Sequence, residues 1–205
     1  MDHAALEHAA LEHASLEHAS LAQQAAARDS LFRTRIANLR LVCFDVDGTL
    51  TDGRLYFDSE GRELKAFHVH DGQGIVLLRT CGIEVAFVTA RNSEVAQRRA
   101  RELGVRCHVG VKDKLACVQA LCAELGLSME QACFMGDDLP DIPVMREVGI
   151  SVAPANAHPA TAAVAQLRAA ARAGEGAARE LCDLIVDAQG KTGDPLPPQA
   201  RGELS

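Results

Sequence analysis

Five short apolar runs recur along the chain: LRLVCF (39–44), IEVAFVT (83–89), VRCHVG (105–110), QACFMG (131–136) and ISVA (150–153). Runs of this length between turn signals read as strands. Between them lie helical stretches. DGQGIVLLRTCG ends at Gly82, residues 92–103 stop at Gly104, and KDKLACVQALCAELG closes at Gly126. DLPDIPVMREVG holds a short helix and AARELCDLIVDAQG a terminal one. Glycine suits these stops because it tolerates the left-handed backbone of a helix end. Strand–helix alternation requires crossover connections, so it predicts an α/β fold with a parallel sheet. One stretch breaks the pattern. RLYFDSEGRELKAFHV (54–69) has two strand-like halves around Ser59-Glu60-Gly61, which predicts a small β-hairpin.

Parallel sheets bind ligands beyond the carboxyl ends of their strands. The clusters DVDGT, TAR and GDD each directly follow an apolar run, and KDK follows the third, so all four converge on one edge. Asp45 and Asp47 flank a single valine there, and Asp137 and Asp138 end another strand. Close carboxylates repel, and desolvation sharpens the repulsion. A hard cation with oxygen ligands offsets it, and Mg²⁺ commonly bridges one or two carboxylates to a phosphate. Gly48 and Thr49 suggest a tight turn whose amides face a phosphate. Thr89 offers a hydroxyl to a phosphoryl oxygen, and Lys114 offers positive charge. Taken singly these are ordinary features: a turn, a helix cap, a solvated lysine. Their order, each at a strand end, carries the argument.

Composition narrows the partners. The net charge of −7 with scattered basic residues argues against a nucleic-acid surface, and the lack of Trp argues against a stacking platform. Seven cysteines without a CxxC pair read as small buried hydrophobes in a reducing compartment. No run approaches the roughly 18 apolar residues that cross a bilayer. The expectation is a cytoplasmic protein with no membrane segment.

The first residues, MDHAALEHAALEHASLEHASLA, repeat every five positions. Five residues turn a helix by about 140° net, so Leu6, Leu11, Leu16 and Leu21 spiral and form no single face. His3, His8, His13 and His18 share that spacing, which is poor for an i, i+4 metal clamp. The expected organisation is a low-complexity, partly disordered leader over 1–35, a domain over 36–190 with a flap near 53–70, and a disordered tail over 191–205.

FDVDGTLTDG, then VTAR, then a Lys opening a helix, then GDDLPD resemble the four motifs of the haloacid dehalogenase-like phosphatase superfamily. The match runs from about 39 to 190. LKAFHVHDGQGI, ANAHP and GAARELCDLIVDAQGK resemble a branch of small sugar-acid phosphatases of lipopolysaccharide synthesis. The resemblance implies a Rossmann-like parallel sheet with flanking helices and a β-hairpin flap, without a large cap domain.

It also implies roles. Asp45 is the nucleophile, and Asp47 the acid that protonates the leaving oxygen and then activates water. Asp45, the main-chain carbonyl of Asp47, and Asp137 hold Mg²⁺, with Asp138 and Asp141 supporting them. Thr89 and Lys114 bind the phosphoryl group. His68, Val69, His70, Asp71, Gly72, Arg91 and Arg99 contact a small anionic sugar phosphate. Relatives of this kind are homotetramers in which a neighbour closes the site. His70, Val76 and Glu175 stand where such relatives often carry a basic residue, which leaves an eight- or nine-carbon acid open. A non-catalytic α/β binding module is the reading from another class.

Overall fold

A computed structural model of the chain describes residues 19–191. Its centre is a parallel sheet of β1 (Leu41–Phe44), β4 (Glu84–Val88), β5 (Arg106–His108), β6 (Ala132–Met135), β7 (Ile150–Ala153) and β8 (Leu167–Arg168). The order is β5-β4-β1-β6-β7-β8. β2 (Tyr56–Phe57) and β3 (Glu63–Leu64) form a separate antiparallel hairpin. The chain passes from β1 to one side of the sheet, then returns through β6 to the other. That reversal opens a crevice at the carboxyl end of β1, where open α/β sheets place their ligands.

β1 is buried on both faces, which is why LVCF is a continuous apolar run. Its side chains alternate between two cores. Val42 and Phe44 pack among residues of α3 (Val69–Thr80), α4 (Glu94–Leu103) and α8 (Ala177–Ala188). Leu41 and Cys43 pack among residues of α5 (Lys114–Leu125) and α6 (Ile142–Glu147). The sheet is thus the middle of three layers. Gly104 and Gly126 end α4 and α5 in the left-handed conformation, at φ 65° and 67°. All seven cysteines are free. No helix among the described residues is long and apolar enough to cross a membrane.

The structure moves the expected domain boundary at residue 36. Residues 1–18, with three of the leader's leucines and its four histidines, lie outside the described residues, as does 192–205. Residues 21–37 belong to the domain, as α1 (Leu21–Ala26) and α2 (Ser30–Ala37). A Ser20–Gln23 capping box starts α1, and Leu21, Phe32 and Ile36 are buried in the core. Gln24 also covers the outermost strand. Its Nε2 donates to the Arg168 carbonyl at 2.6 Å, and the Arg168 N–H donates to its Oε1 at 3.0 Å. One side-chain amide thereby substitutes for a neighbouring strand at an exposed edge. A further helix, α7 (Pro159–Val164), lies between β7 and β8 in the chain.

The flap is smaller than 53–70. Its paired residues run only from Tyr56 to Leu64, and Val69 already begins α3. His68 to His70, expected at the end of the flap, therefore belong to the helix start, which runs on into the helix expected from Asp71.

Candidate active site

The strand ladder continues one residue beyond β1, β4 and β6. Asp45 N–H donates to the Met135 carbonyl at 2.9 Å, Thr89 to His108 at 2.9 Å, and Gly136 to Val152 at 3.2 Å. Backbone pairing thus fixes Asp45, Thr89 and the Gly136–Asp137 peptide at one edge. After Asp45 the chain turns tightly, with Leu50 and Thr51 N–H both donating to the Val46 carbonyl at 3.0 and 3.1 Å. Gly48 sits in that turn at φ 93°, a conformation that favours glycine. A Cβ at Gly48 would run into the Asp137 carboxylate.

Lys114 reaches the edge because α5 begins there, capped by Asp113, which accepts the Ala116 N–H at 2.9 Å. Its Nζ donates to Asp45 Oδ1 at 2.6 Å and Asp141 Oδ1 at 2.5 Å. Burial would lower this ammonium, but the two carboxylates outweigh it and hold it above the ordinary lysine value. Asp141 Oδ2 accepts the N–H groups of Asp137 and Asp138 at 2.9 and 3.1 Å. Burial pushes Asp45 up to about 8 against the pull of Lys114. It pushes Asp137 up to about 6, with Asp141 adding and the Thr49 hydroxyl, 3.1 Å away, subtracting.

Asp45, Asp137 and Asp141 each offer an oxygen, all within 4.8 Å of one another. Three carboxylates against one ammonium leave uncompensated negative charge in a site largely closed to water. An all-oxygen donor set with that excess fits Mg²⁺. Gly48 keeps the space beside Asp137 clear. The residues present therefore fit the ion.

Several expected positions are adjusted. Asp138 faces outward and caps its own short helix, accepting the Leu139 N–H at 2.8 Å, while Asp141 stands in the carboxylate cluster. Asp71 is buried, with its Oδ1 accepting the Arg179 N–H at 2.8 Å near the start of α8. Burial raises its pKa, and the Arg179 amide and His68 offset part of that. Asp71 is thus a tie between α3 and α8. Gly72 leaves room for the Arg99 guanidinium, which lies 5.8 Å over the Phe67 ring and pairs with Glu102 at 2.9 Å. His68 is half-buried beside His70, their rings 4.9 Å apart, while His70 and Val69 are exposed. Val76 packs against the core. Glu175 is exposed.

The sequence reading missed the flap's own charges. The Lys65 side chain is 1 % exposed, and its Nζ pairs with Asp47 Oδ1 and with Glu63 Oε1. Glu63 also accepts from Arg91 Nη2 at 2.7 Å and Ser93 Oγ at 2.6 Å. Burial would raise Glu63, but Ser93, Lys65 and Arg91 hold it below the ordinary range. One signal was present: residues two apart in a strand share a face, so ELK puts Glu63 and Lys65 together.

A family model for haloacid dehalogenase-like hydrolases matches residues 109–181. A 3-deoxy-D-manno-octulosonate 8-phosphate phosphatase of Yersinia pestis is 46% identical over 158 residues, covering 77% of this chain and 84% of that protein. A solved structure of a hypothetical protein from Xanthomonas campestris superposes with a TM-score of 0.80 at 50% identity, covering 89% of this chain and 97% of that one. The 3-deoxy-D-manno-octulosonate 8-phosphate phosphatase of Moraxella catarrhalis, solved with magnesium, phosphate and the sugar acid, superposes with a TM-score of 0.77 at 38% identity. That match covers 80% of this chain and 94% of that one. Sequence similarity over most of both chains and a shared fold carry one conclusion: this chain belongs to the haloacid dehalogenase-like hydrolase family.

Proposed function

We propose that the protein is an Mg²⁺-dependent phosphatase. It hydrolyses 3-deoxy-D-manno-octulosonate 8-phosphate to the free sugar acid and phosphate through an aspartyl-phosphate. The observation that carries this is the Asp45–Asp137–Asp141 cluster at the switch point with Lys114 inside it. Relatives with this reaction in their names support the substrate.

A carboxylate of Asp45 attacks phosphorus, and the bond from phosphorus to the sugar oxygen breaks. The departing oxygen keeps the electron pair and takes the proton that Asp47, entering this step in its acid form, carries. Asp47 Oδ2 is buried and has no hydrogen-bond partner, so it is uncommitted for that exchange. Asp47 then takes a proton from water as its oxygen attacks phosphorus, releasing phosphate and restoring Asp45. Lys114 and the Thr89 hydroxyl bind the phosphoryl oxygens. Asp45, Asp137 and the Asp47 carbonyl would hold the Mg²⁺, with Asp141 beside them. When bound, the ion neutralises charge on the phosphoryl group and on the acids around it.

Three finer readings accompany this one. Leu55, Phe57 and Leu64 expose apolar surface on or beside the flap, which supports a homotetramer in which a second copy covers it. The free cysteines suit a reducing cytoplasm. The sugar acid's place is in lipopolysaccharide precursor synthesis. The test is phosphate release from a panel of 2-keto sugar-acid phosphates, eight- and nine-carbon, with Mg²⁺ and with EDTA. Preference for the eight-carbon acid, lost in EDTA, supports the reading. Activity indifferent to EDTA contradicts it.

A further inference from the structure

Three donors converge on one carboxylate at the crevice, and that carboxylate belongs to the flap. Arg91 Nη2, Ser93 Oγ and Lys65 Nζ lie 2.7, 2.6 and 3.0 Å from the oxygens of Glu63. A guanidinium, a hydroxyl and a buried ammonium around one acid group make a complete carboxylate-binding set. Two of the three donors lie off the flap that carries both Glu63 and Lys65. Ser93 caps α4, and Arg91 follows the end of β4, both on the rigid domain. Glu63 rides on a hairpin whose strands are two residues each. Lys65 simultaneously holds Asp47, so the set adjoins the group proposed to serve the leaving oxygen.

We infer that Glu63 is an internal competitor for the substrate's acid group. Its carboxylate fills the Arg91–Ser93–Lys65 set in the free enzyme and gives way to the carboxylate of the arriving sugar acid. It returns as the product leaves. The exchange replaces one carboxylate by another, so the donors never stand unpaired, and the charge at the crevice is restored each cycle. The inference rests on the proposed sugar-acid substrate. A mere structural tie would make the opposite prediction, because loosening it would disorder the donors and weaken binding.

The test uses Glu63→Gln, which keeps the shape of the side chain and removes its charge. The free sugar acid, 3-deoxy-D-manno-octulosonate, is titrated as an inhibitor of p-nitrophenyl phosphate hydrolysis. That substrate has no carboxylate and is the reference for general disturbance of the site. The expected result is an inhibition constant about tenfold lower in Glu63→Gln than in wild type, the scale of one charged hydrogen bond, with the reference KM moved less than about twofold. An unchanged or higher inhibition constant in a variant that melts like wild type overturns the inference. So does a sugar acid that inhibits neither protein. If Glu63→Gln melts early, Glu63→Asp keeps the charge but withdraws it from the donors. A lower inhibition constant there supports the competitor, and a higher one refutes it. Should wild type hydrolyse the reference but not the sugar-acid phosphate, the functional proposal falls, while the inhibition comparison still decides Glu63.

Discussion

The edge proposed to be catalytic and the flap face each other across one crevice, but they are held in place by different forces. Asp45 ends a strand buried on both faces, and backbone pairing to β6 continues through it. The flap is two residues paired with two, with Phe57 and Leu64 each 57 % exposed. An isolated hairpin of that size is marginal in water. Its position depends on Lys65 to Asp47 and on Glu63 to Arg91 and Ser93. Apolar burial therefore fixes the groups proposed to react, and charge fixes access to them. A ligand carrying its own charges competes with the second force and leaves the first untouched.

The largest effect expected on the catalytic side is that of Asp45→Asn. Losing a nucleophile costs about four to six orders of magnitude in kcat. The melting temperature should hold, because the amide replaces a buried acid on an intact strand. A steady-state assay beside a thermal melt reads both, and residual activity near wild type breaks the contrast. Gly48→Ala comes next. It pushes on the Asp137 carboxylate and strains a backbone at φ 93°, and misplacement of about 1 Å costs roughly 10²-fold. If kcat in that variant stays within a factor of two, the turn is less constrained than the geometry requires.

Lys65→Met sharpens the contrast from the flap side. It leaves Asp47 and Glu63 facing one another without their shared cation, so the flap should loosen while the sheet does not. Hydrogen exchange should rise by about tenfold or more across 54–68 and stay unchanged at 41–44. Equal acceleration in both segments would show that the flap and sheet are one unit.

These two regions also differ in how far the sequence disclosed them. LVCF, ACFM and ISVA declare buried parallel strands by their unbroken apolar character, and the acids after them fall at the sheet's edge by topology alone. β8 is invisible in the same terms. It has two residues, Leu167 and Arg168, and part of its hydrogen bonding comes from a glutamine some 140 positions earlier. α1 hid behind the five-residue repeat, although Ser20 and Gln23 spell a capping box. Asp71 lies in the first turn of α3, and its bond to the start of α8 depends on the tertiary fold, which no local pattern spells out. ELK showed that Glu63 and Lys65 share a face, but which groups they meet depends on how the hairpin folds back.

A smaller effect is expected from pH in the absence of divalent cation. Burial raises Asp45 to about 8 and Asp137 to about 6 in the folded state, above the ordinary carboxylate value near 4. The folded protein then binds more protons than the unfolded chain. Stability fully present below about pH 4 is therefore lost as pH rises through those two values. The metal-free melting temperature should fall between pH 5 and pH 8. Added Mg²⁺ should raise it by a few degrees more at pH 8 than at pH 5. A metal effect independent of pH would separate the ion from these acids. Smallest is Leu64→Ser on the flap's outer face, which should change the stability of a lone chain by no more than about 0.5 kcal/mol. A lower mass in solution for that variant would identify the face as one that another copy covers.

The central claim is that Asp45 carries the phosphoryl group covalently. Enzyme turning over 3-deoxy-D-manno-octulosonate 8-phosphate with Mg²⁺ is quenched into borohydride, which reduces an acyl phosphate to the alcohol, and the peptide holding residue 45 is sequenced by mass spectrometry. The account predicts homoserine at position 45, absent when substrate is withheld and absent in Asp45→Asn. Full turnover with unmodified aspartate at 45, or with reduction at another acid, would contradict it.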